Sequence, residues 1–261
     1  MTPADLAAVG LRLDIEGPVA TVTLDRPDVR NAQTPAMWIA LGEIGRTLPD
    51  DVRVVVVTGE GDTFSAGLDR AMLDPSTAGQ ESVVGLLALS DEEASARIDE
   101  FQGGFTWLRD PRFVSIAKVR GYAIGAGFQL ALSCDLRVVA DDAKFSMKES
   151  ALGLVPDLTG TKPLVEHVGY ARALEICATA RVVTAEEAVR IGLATSAVPS
   201  ADLDAAVFDL AAALVAPMPG VVRETKALLQ GAGERDLDEQ RRLEREAQVR
   251  RFRAVAAALA G

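Results

Sequence analysis

Up to about residue 140 the chain alternates short β-branched runs with helical stretches, and from about residue 161 it is almost wholly helical. That change of texture limits the fold more than any other feature. The runs lie at 19–24, 53–58, 113–119 and 136–140, with glycine-rich turns around them. Helical spacing of apolar residues falls between them, at 35–48 and 91–109. Strands interleaved with helices in this way read as βαβ-like units. Further helices are expected at 185–191, 202–215, 220–230 and 237–259. Thr184 followed by Glu187 has the form of a capping box opening the first of these, and Gly192 can close it. The last is rich in Arg and Glu at helical spacing, as a solvated face with ion pairs would be. Residues 73–90 start small and polar and read as a mobile loop, of a length that is usually functional or disordered. No internal repeat and no long Gly/Ser linker is found.

Composition narrows the classes of function. With 261 residues the chain can build one large core or two small ones. Its net charge of −11 argues against broad binding to nucleic acid or to an anionic membrane. An anionic ligand would then depend on local donors. No apolar run approaches the roughly 18 residues of a membrane span. The N-terminus lacks a basic stretch followed by an apolar one, so a cytoplasmic protein without a signal peptide is expected. Cys134 and Cys177 lie in apolar stretches and read as buried free thiols rather than a disulfide. The single histidine, His167, sits in a helical, amphipathic segment and reads as packed or solvated. A Ser-His-Asp triad or a histidine-rich zinc site would have to use it, and neither is expected.

Two glycine-rich segments have more to say. In RVVVVTGEGDTFSAGLD (53–69) a buried strand runs through a turn and small residues to an aspartate. In KVRGYAIGAGFQLALSCDLRVVA (118–140) a strand ends in glycines, followed at once by a short apolar helix and another strand. Each is compatible with an ordinary tight turn, where glycine supplies positive φ. Gly125-Ala126-Gly127 would also place unpaired backbone N–H groups at a helix N-terminus, which suits a developing oxyanion. Neither a phosphate-binding P-loop nor a complete dinucleotide fingerprint is present.

Taken in order, RPDVRNA (26–32), FSAGLD (64–69), GYAIGAGFQLALSCDLRVVA (121–140), FSMKESALGLVPDLTGT (145–161) and RVVTAEEAVRIGLATSAVP (181–199) resemble the crotonase superfamily over nearly the whole chain. The resemblance implies an α/β fold, a spiral of ββα units followed by a helical C-terminal region. Residues 1–195 would form the core, and 196–261 a helical trimerisation region. Homotrimers or hexamers (dimers of trimers) are implied as well. The substrate implied is an acyl-CoA thioester, with no metal and no cofactor beyond the CoA that the substrate carries. Neither nucleic acid nor membrane is an implied partner.

Carried over residue by residue, the resemblance puts an oxyanion hole at the backbone N–H groups of Leu68 and Ala126. It places the substrate and its CoA against Asp28, Val29, Arg30 and Ala32 on one segment, Ala66, Asp69 and Arg70 on another, and Gly125. Arg30 and Arg70 are the natural phosphate partners in an otherwise acidic chain. Hydratases of the superfamily use two glutamates, and here the chain departs from them. The first position holds Gln129, which cannot accept a proton at neutral pH. The second is kept as Glu149, and Asp157 follows at a position where isomerases of the superfamily carry a carboxylate. A turn after Pro156 is an equally good reason for an aspartate there. The leading expectation is therefore an enoyl- or dienoyl-CoA isomerase using Glu149 and/or Asp157 as acid and base. The alternatives are a hydratase with a degenerate first glutamate at Gln129, and a non-catalytic acyl-CoA-binding protein.

Overall fold

The computed structural model describes residues 1–74 and 82–260. In chain order it builds α1 (Pro3–Ala8), β1 (Leu11–Glu16), β2 (Val19–Leu24), α2 (Pro35–Thr47), β3 (Val54–Gly59) and α3 (Asp91–Thr106). Then come β4 (Val114–Val119), β5 (Tyr122–Ile124), α4 (Ala126–Ser133), β6 (Leu136–Ala140) and β7 (Lys144–Ser146). The remainder is α5 (Thr161–Val168), α6 (Tyr170–Thr179), β8 (Val183–Thr184), α7 (Ala185–Arg190), β9 (Ser196–Val198), α8 (Leu203–Val215), α9 (Val221–Leu229) and α10 (Leu237–Ala260). Of the loop expected at 73–90, residues 75–81 lie outside the described residues, while Val83–Ala88 form a 3-10 helix.

Six strands form one sheet in the order β1-β2-β3-β4-β6-β9, and β5-β7-β8 form a second. From β2 onward the large sheet is parallel, and β1 adds an antiparallel edge. The valine run of β3 explains its composition. Val55 and Val57 face the main core with α2 and α3, whereas Val54 and Val56 face Leu203, Val207 and Ala211 of α8. A strand covered on both sides cannot alternate apolar with polar residues. Each such valine, at most 5% exposed, contributes about 1.5–3 kcal/mol by burial. Under the sheet α2 and α3 cross, with Trp38 against Phe101 and Phe105 at ring-centroid distances of 5.3 and 6.1 Å.

One local expectation changes. Thr184 accepts from the Glu187 N–H as a cap should, but the Glu187 carboxylate turns away to Arg181 at 2.8 Å. A bidentate arginine is the stronger partner for a carboxylate than one backbone N–H. Gly192, at φ +79°, follows α7 as expected. Both cysteines are free thiols. No helix among the described residues is long and apolar enough to cross a membrane.

Candidate active site

The site lies where the two sheets meet. Residues 63–65 run beside 120–124: Phe64 N–H donates to Arg120 O, Ser65 N–H to Tyr122 O, and Ile124 N–H back to Ser65 O. On the other side, Gln33 N–H donates to Gly67 O and Asp69 N–H to Gln33 O. These two bonds bracket Leu68 in a parallel bridge with Gln33, so the Leu68 N–H points away from Gln33. Gly67 allows the turn with φ +88°, and a Cβ on it would stand 2.5 Å from Ile124 O and 3.6 Å from the Ala126 nitrogen. Only glycine fits so close to a neighbouring backbone. Ala126 opens α4, and no side chain caps that end. The Leu68 and Ala126 N–H groups, carried on adjacent segments, have no acceptor among the described residues.

A buried carboxyl stands next to them. The Gly125 N–H is tied to Ser146 O at 2.8 Å, which brings β7 and the following residues alongside α4. Glu149 begins a 3-10 helix there and is 8% exposed. Its Oε1 accepts from Gln129 Nε2 at 2.7 Å, while Oε2 is buried without a hydrogen-bond partner. Burial holds the Glu149 carboxyl above the ordinary range, and the nearby charge of Asp157 pushes the same way against the Gln129 hydrogen bond. Asp157 keeps an exposed face, yet partial burial of its carboxyl raises it too. Cys177, half-buried on α6, is raised by burial and by the charge of Glu149, so it stays a protonated thiol.

The residues expected around CoA occupy two facing loops. Asp28, Val29 and Arg30 are exposed, Ala32 and Gly125 are buried, and Ala66 is exposed with its N–H on Arg30 O at 2.9 Å. Arg30 and Arg70 are exposed and have no ion pair among the described residues. Asp69 is engaged by the protein itself, pairing with Arg26 at 2.9 Å and accepting from the Ala71 N–H at 3.1 Å.

Sequence reasoning missed what stiffens these loops. Ser65 Oγ donates to Asn31 O and accepts from Gln33 Nε2 and the Gly67 N–H. Gln33 Oε1 accepts from the Trp38 indole, and Asn31 Nδ2 donates to Glu60 O and Thr63 O. Asn31, Gln33 and Ser65 are all fully buried. No local signal marked them, since RPDVRNAQTP and EGDTFSAGLD read as polar loops, and most of the partners lie some thirty residues away.

Two hollows of about 780 and 790 Å³ lie elsewhere, one over the outer sheet beside α8 and one between α5 and α9. Neither is lined by Leu68, Ala126, Glu149 or Asp157. His167 is equally remote in role: its Nε2 meets the buried Arg137 guanidinium at 2.8 Å. Burial, with Arg137 adding to it, lowers the imidazole to about 4.

A mixed α/β core with two open backbone N–H groups and a buried carboxyl near one of them is the architecture that the crotonase resemblance implies. The family model for enoyl-CoA hydratase/isomerase matches residues 14–256, and the chain belongs to that family. It is 35% identical over 251 residues to a carnitinyl-CoA dehydratase of Salmonella arizonae, covering 94% of this chain and 89% of that one. Among solved structures it is similar to a Thermobifida fusca YX protein assigned as an enoyl-CoA hydratase and captured with acetoacetyl-CoA. That match has a TM-score of 0.93 and 52% identity, over 97% of this chain and 98% of that one. The Pseudomonas aeruginosa protein DspI is 34% identical with a TM-score of 0.82, over 94% and 96% of the two chains.

Proposed function

We propose that the protein transfers protons on an acyl-CoA thioester, shifting a double bond in an enoyl- or dienoyl-CoA, with Glu149 Oε2 as the working atom. The observation that carries this reading is that oxygen: buried, unpartnered, on a carboxyl that burial raises, and 3.9 Å from where a Cβ on Gly125 would stand, next to the open Ala126 N–H. A base must be unencumbered and within reach of the proton it takes, and a raised pKa lets it return that proton. In the proposed reaction Glu149 takes a proton from the carbon next to the thioester carbonyl. The carbonyl oxygen becomes a dienolate held by the Leu68 and Ala126 N–H groups, each worth about 3 kcal/mol in such a role. The proton returns two carbons further along the chain, from Glu149 or from Asp157, and no water is gained or lost. Arg30 and Arg70 are assigned to the phosphates of CoA, with Asp28, Val29, Ala32, Ala66 and Gly125 lining its path. Asp69 acts there by holding Arg26.

Hydration or dehydration is the second reading, favoured by the dehydratase and hydratase relatives. In it Glu149 alone would handle the protons of the added water. Incubation with 3-enoyl-, 2-enoyl-, dienoyl- and 3-hydroxyacyl-CoA, with products separated chromatographically, tests both. Double-bond migration without 3-hydroxyacyl product supports isomerisation, and water addition supports the second reading. No turnover of any of them overturns both.

A further inference from the structure

We infer that Gln129 is a positioning residue, whose amide clamps the loop carrying Asp157 to the buried carboxyl of Glu149 and leaves Glu149 only one oxygen for proton transfer. This rests on the reading of Glu149 as the proton-transferring group. Gln129 is fully buried on α4, and both ends of its amide are spent on the protein. Its Oε1 accepts from the Leu158 N–H at 2.9 Å and the Gly160 N–H at 3.3 Å, and its Nε2 donates to Glu149 Oε1 at 2.7 Å. The amide cannot be reversed. A flipped group would set its NH2 against two N–H donors and its oxygen against a carboxylate oxygen.

Packing holds the side chain in place. A Cβ at residue 160 would stand 2.7 Å from Gln129 Cγ, so Gly160 is the residue that lets the loop close over the amide. The same loop is fastened from its other side by Gln102 Nε2, which donates to the Asp157 carbonyl at 2.6 Å. Asp157 is thus held between two glutamines, with Gln129 connecting its loop directly to Glu149.

The residue type matters as much as the position. A glutamate at 129 would still satisfy the Leu158 and Gly160 N–H groups through one oxygen. Its other oxygen would then face Glu149 Oε1 at the separation now spanned by a hydrogen bond, and the two carboxylates would have to share a proton. The glutamine supplies a donor instead, so Glu149 ionises as a single group. Among the described residues, the other titratable groups that face Glu149 are Asp157 on the loop and Cys177 on α6. The neighbouring Lys148 directs its ammonium to Ala180 O at 3.2 Å.

The test follows the Glu149 carboxyl in the substrate-free protein by carbon-13 NMR of glutamate-labelled samples, with the resonance assigned by its loss in Glu149→Gln. Gln129→Met keeps the volume and removes both polar ends. Its Glu149 midpoint is expected to rise by about one unit or more, a tenfold change in the proton affinity of that carboxyl. Hydrogen exchange at Leu158 and Gly160 is expected to speed up by about tenfold or more as their acceptor disappears. Gln129→Glu retains that acceptor, so its exchange should stay within about threefold of the parent. In that variant the Glu149 resonance should titrate in two steps.

A folded Gln129→Met with neither change overturns the inference. So does a single, unshifted Glu149 titration in Gln129→Glu, which also decides the matter if the methionine variant does not fold. None of these readouts needs a substrate. A shifted carboxyl in a protein that turns over no acyl-CoA would keep the clamp and remove the functional reading.

Discussion

Gly125 and Glu149 are packed so closely that a Cβ on Gly125 would stand 3.3 Å from Glu149 Oε1. The residue just before the N-terminus of α4 therefore packs against the carboxyl expected to move the proton. Gly125 also sits at φ +53°, ψ −120°, a conformation that L side chains rarely adopt. Gly125→Ala should cost about 1–3 kcal/mol through backbone strain. It should also lower turnover about 100-fold or more by displacing Glu149 or the Ala126 N–H. Denaturant melts and steady-state rates check both parts; a variant with parental rates would show that the contact is not part of the chemistry.

Glu149→Gln keeps the shape and the contact with Gln129 but cannot exchange a proton. Isomerisation of a 3-enoyl-CoA should fall by about 100-fold or more. A variant within about threefold of the parent would pass the role of base to Asp157. The same substitution should stabilise the fold at neutral pH. Burial raises the Glu149 carboxyl, so the folded protein holds more protons than the unfolded chain between the ordinary and the native pKa. Stability from this group is complete in acid and is lost as pH rises through the native value. Melting curves should place Glu149→Gln above the parent near pH 7.5, with the gap closing toward pH 4.

His167 offers the opposite sign. Burial and Arg137 lower its imidazole from 6.5 to about 4, so the unfolded chain binds the extra proton first. Stability from this residue is complete above pH 6.5 and is lost as pH falls toward 4. Because it is the chain's only histidine, one imidazole resonance reports it in proton NMR. A midpoint near 4 is expected, and a midpoint near 6.5 would contradict the contact with Arg137.

Arg30 and Arg70 should matter for CoA and not for the acyl group. Alanine at either position should weaken binding of an acyl-CoA by about 1.5–3 kcal/mol, as loss of a charged hydrogen bond does, and leave the free acid unaffected. Calorimetry with an acyl-CoA and its free acid measures this. Equal affinity of the parent for the two compounds would remove CoA from the assignment.

Assembly is testable by light scattering. Large apolar side chains stand exposed on the C-terminal helices, among them Phe208, Leu237, Phe252 and Leu259 at 64–84% exposure. Covering such side chains in an assembly would remove their apolar surface from water. Particles of three or six times 27.5 kDa are expected at micromolar concentration, and a stable monomer would contradict this.

Strands β2, β3, β4 and β6 of the central sheet and the helices around them were readable in the sequence because their signals are local, whereas β9 (Ser196–Val198) lies in the stretch expected to be almost wholly helical and is too short to show a period. The run 54–57 is apolar at every position, and the segment 128–132 after the glycines is apolar except for Gln129. The Gly125-Ala126-Gly127 turn was recognisable from its glycines ahead of a short apolar helix, whereas Glu149 was singled out only through the family resemblance. Strand β1 was not expected although Leu11, Leu13 and Ile15 alternate strictly with Arg12, Asp14 and Glu16, as an edge strand does; with one β-branched residue it does not form a β-branched run. The directions of polar side chains were not readable at all. The family resemblance put Asp69 beside CoA and read Gln129 as a degenerate glutamate, and the Thr184/Glu187 spacing suggested a capping box; none of these readings said which partner each side chain meets. Tertiary structure turned Asp69 to Arg26, Glu187 to Arg181 and Gln129 to Leu158, Gly160 and Glu149. Local pattern determines which faces are buried, because burial follows the period of the backbone. A hydrogen bond depends on which distant group the fold brings within about 3 Å, and that is decided only when the chain has closed on itself.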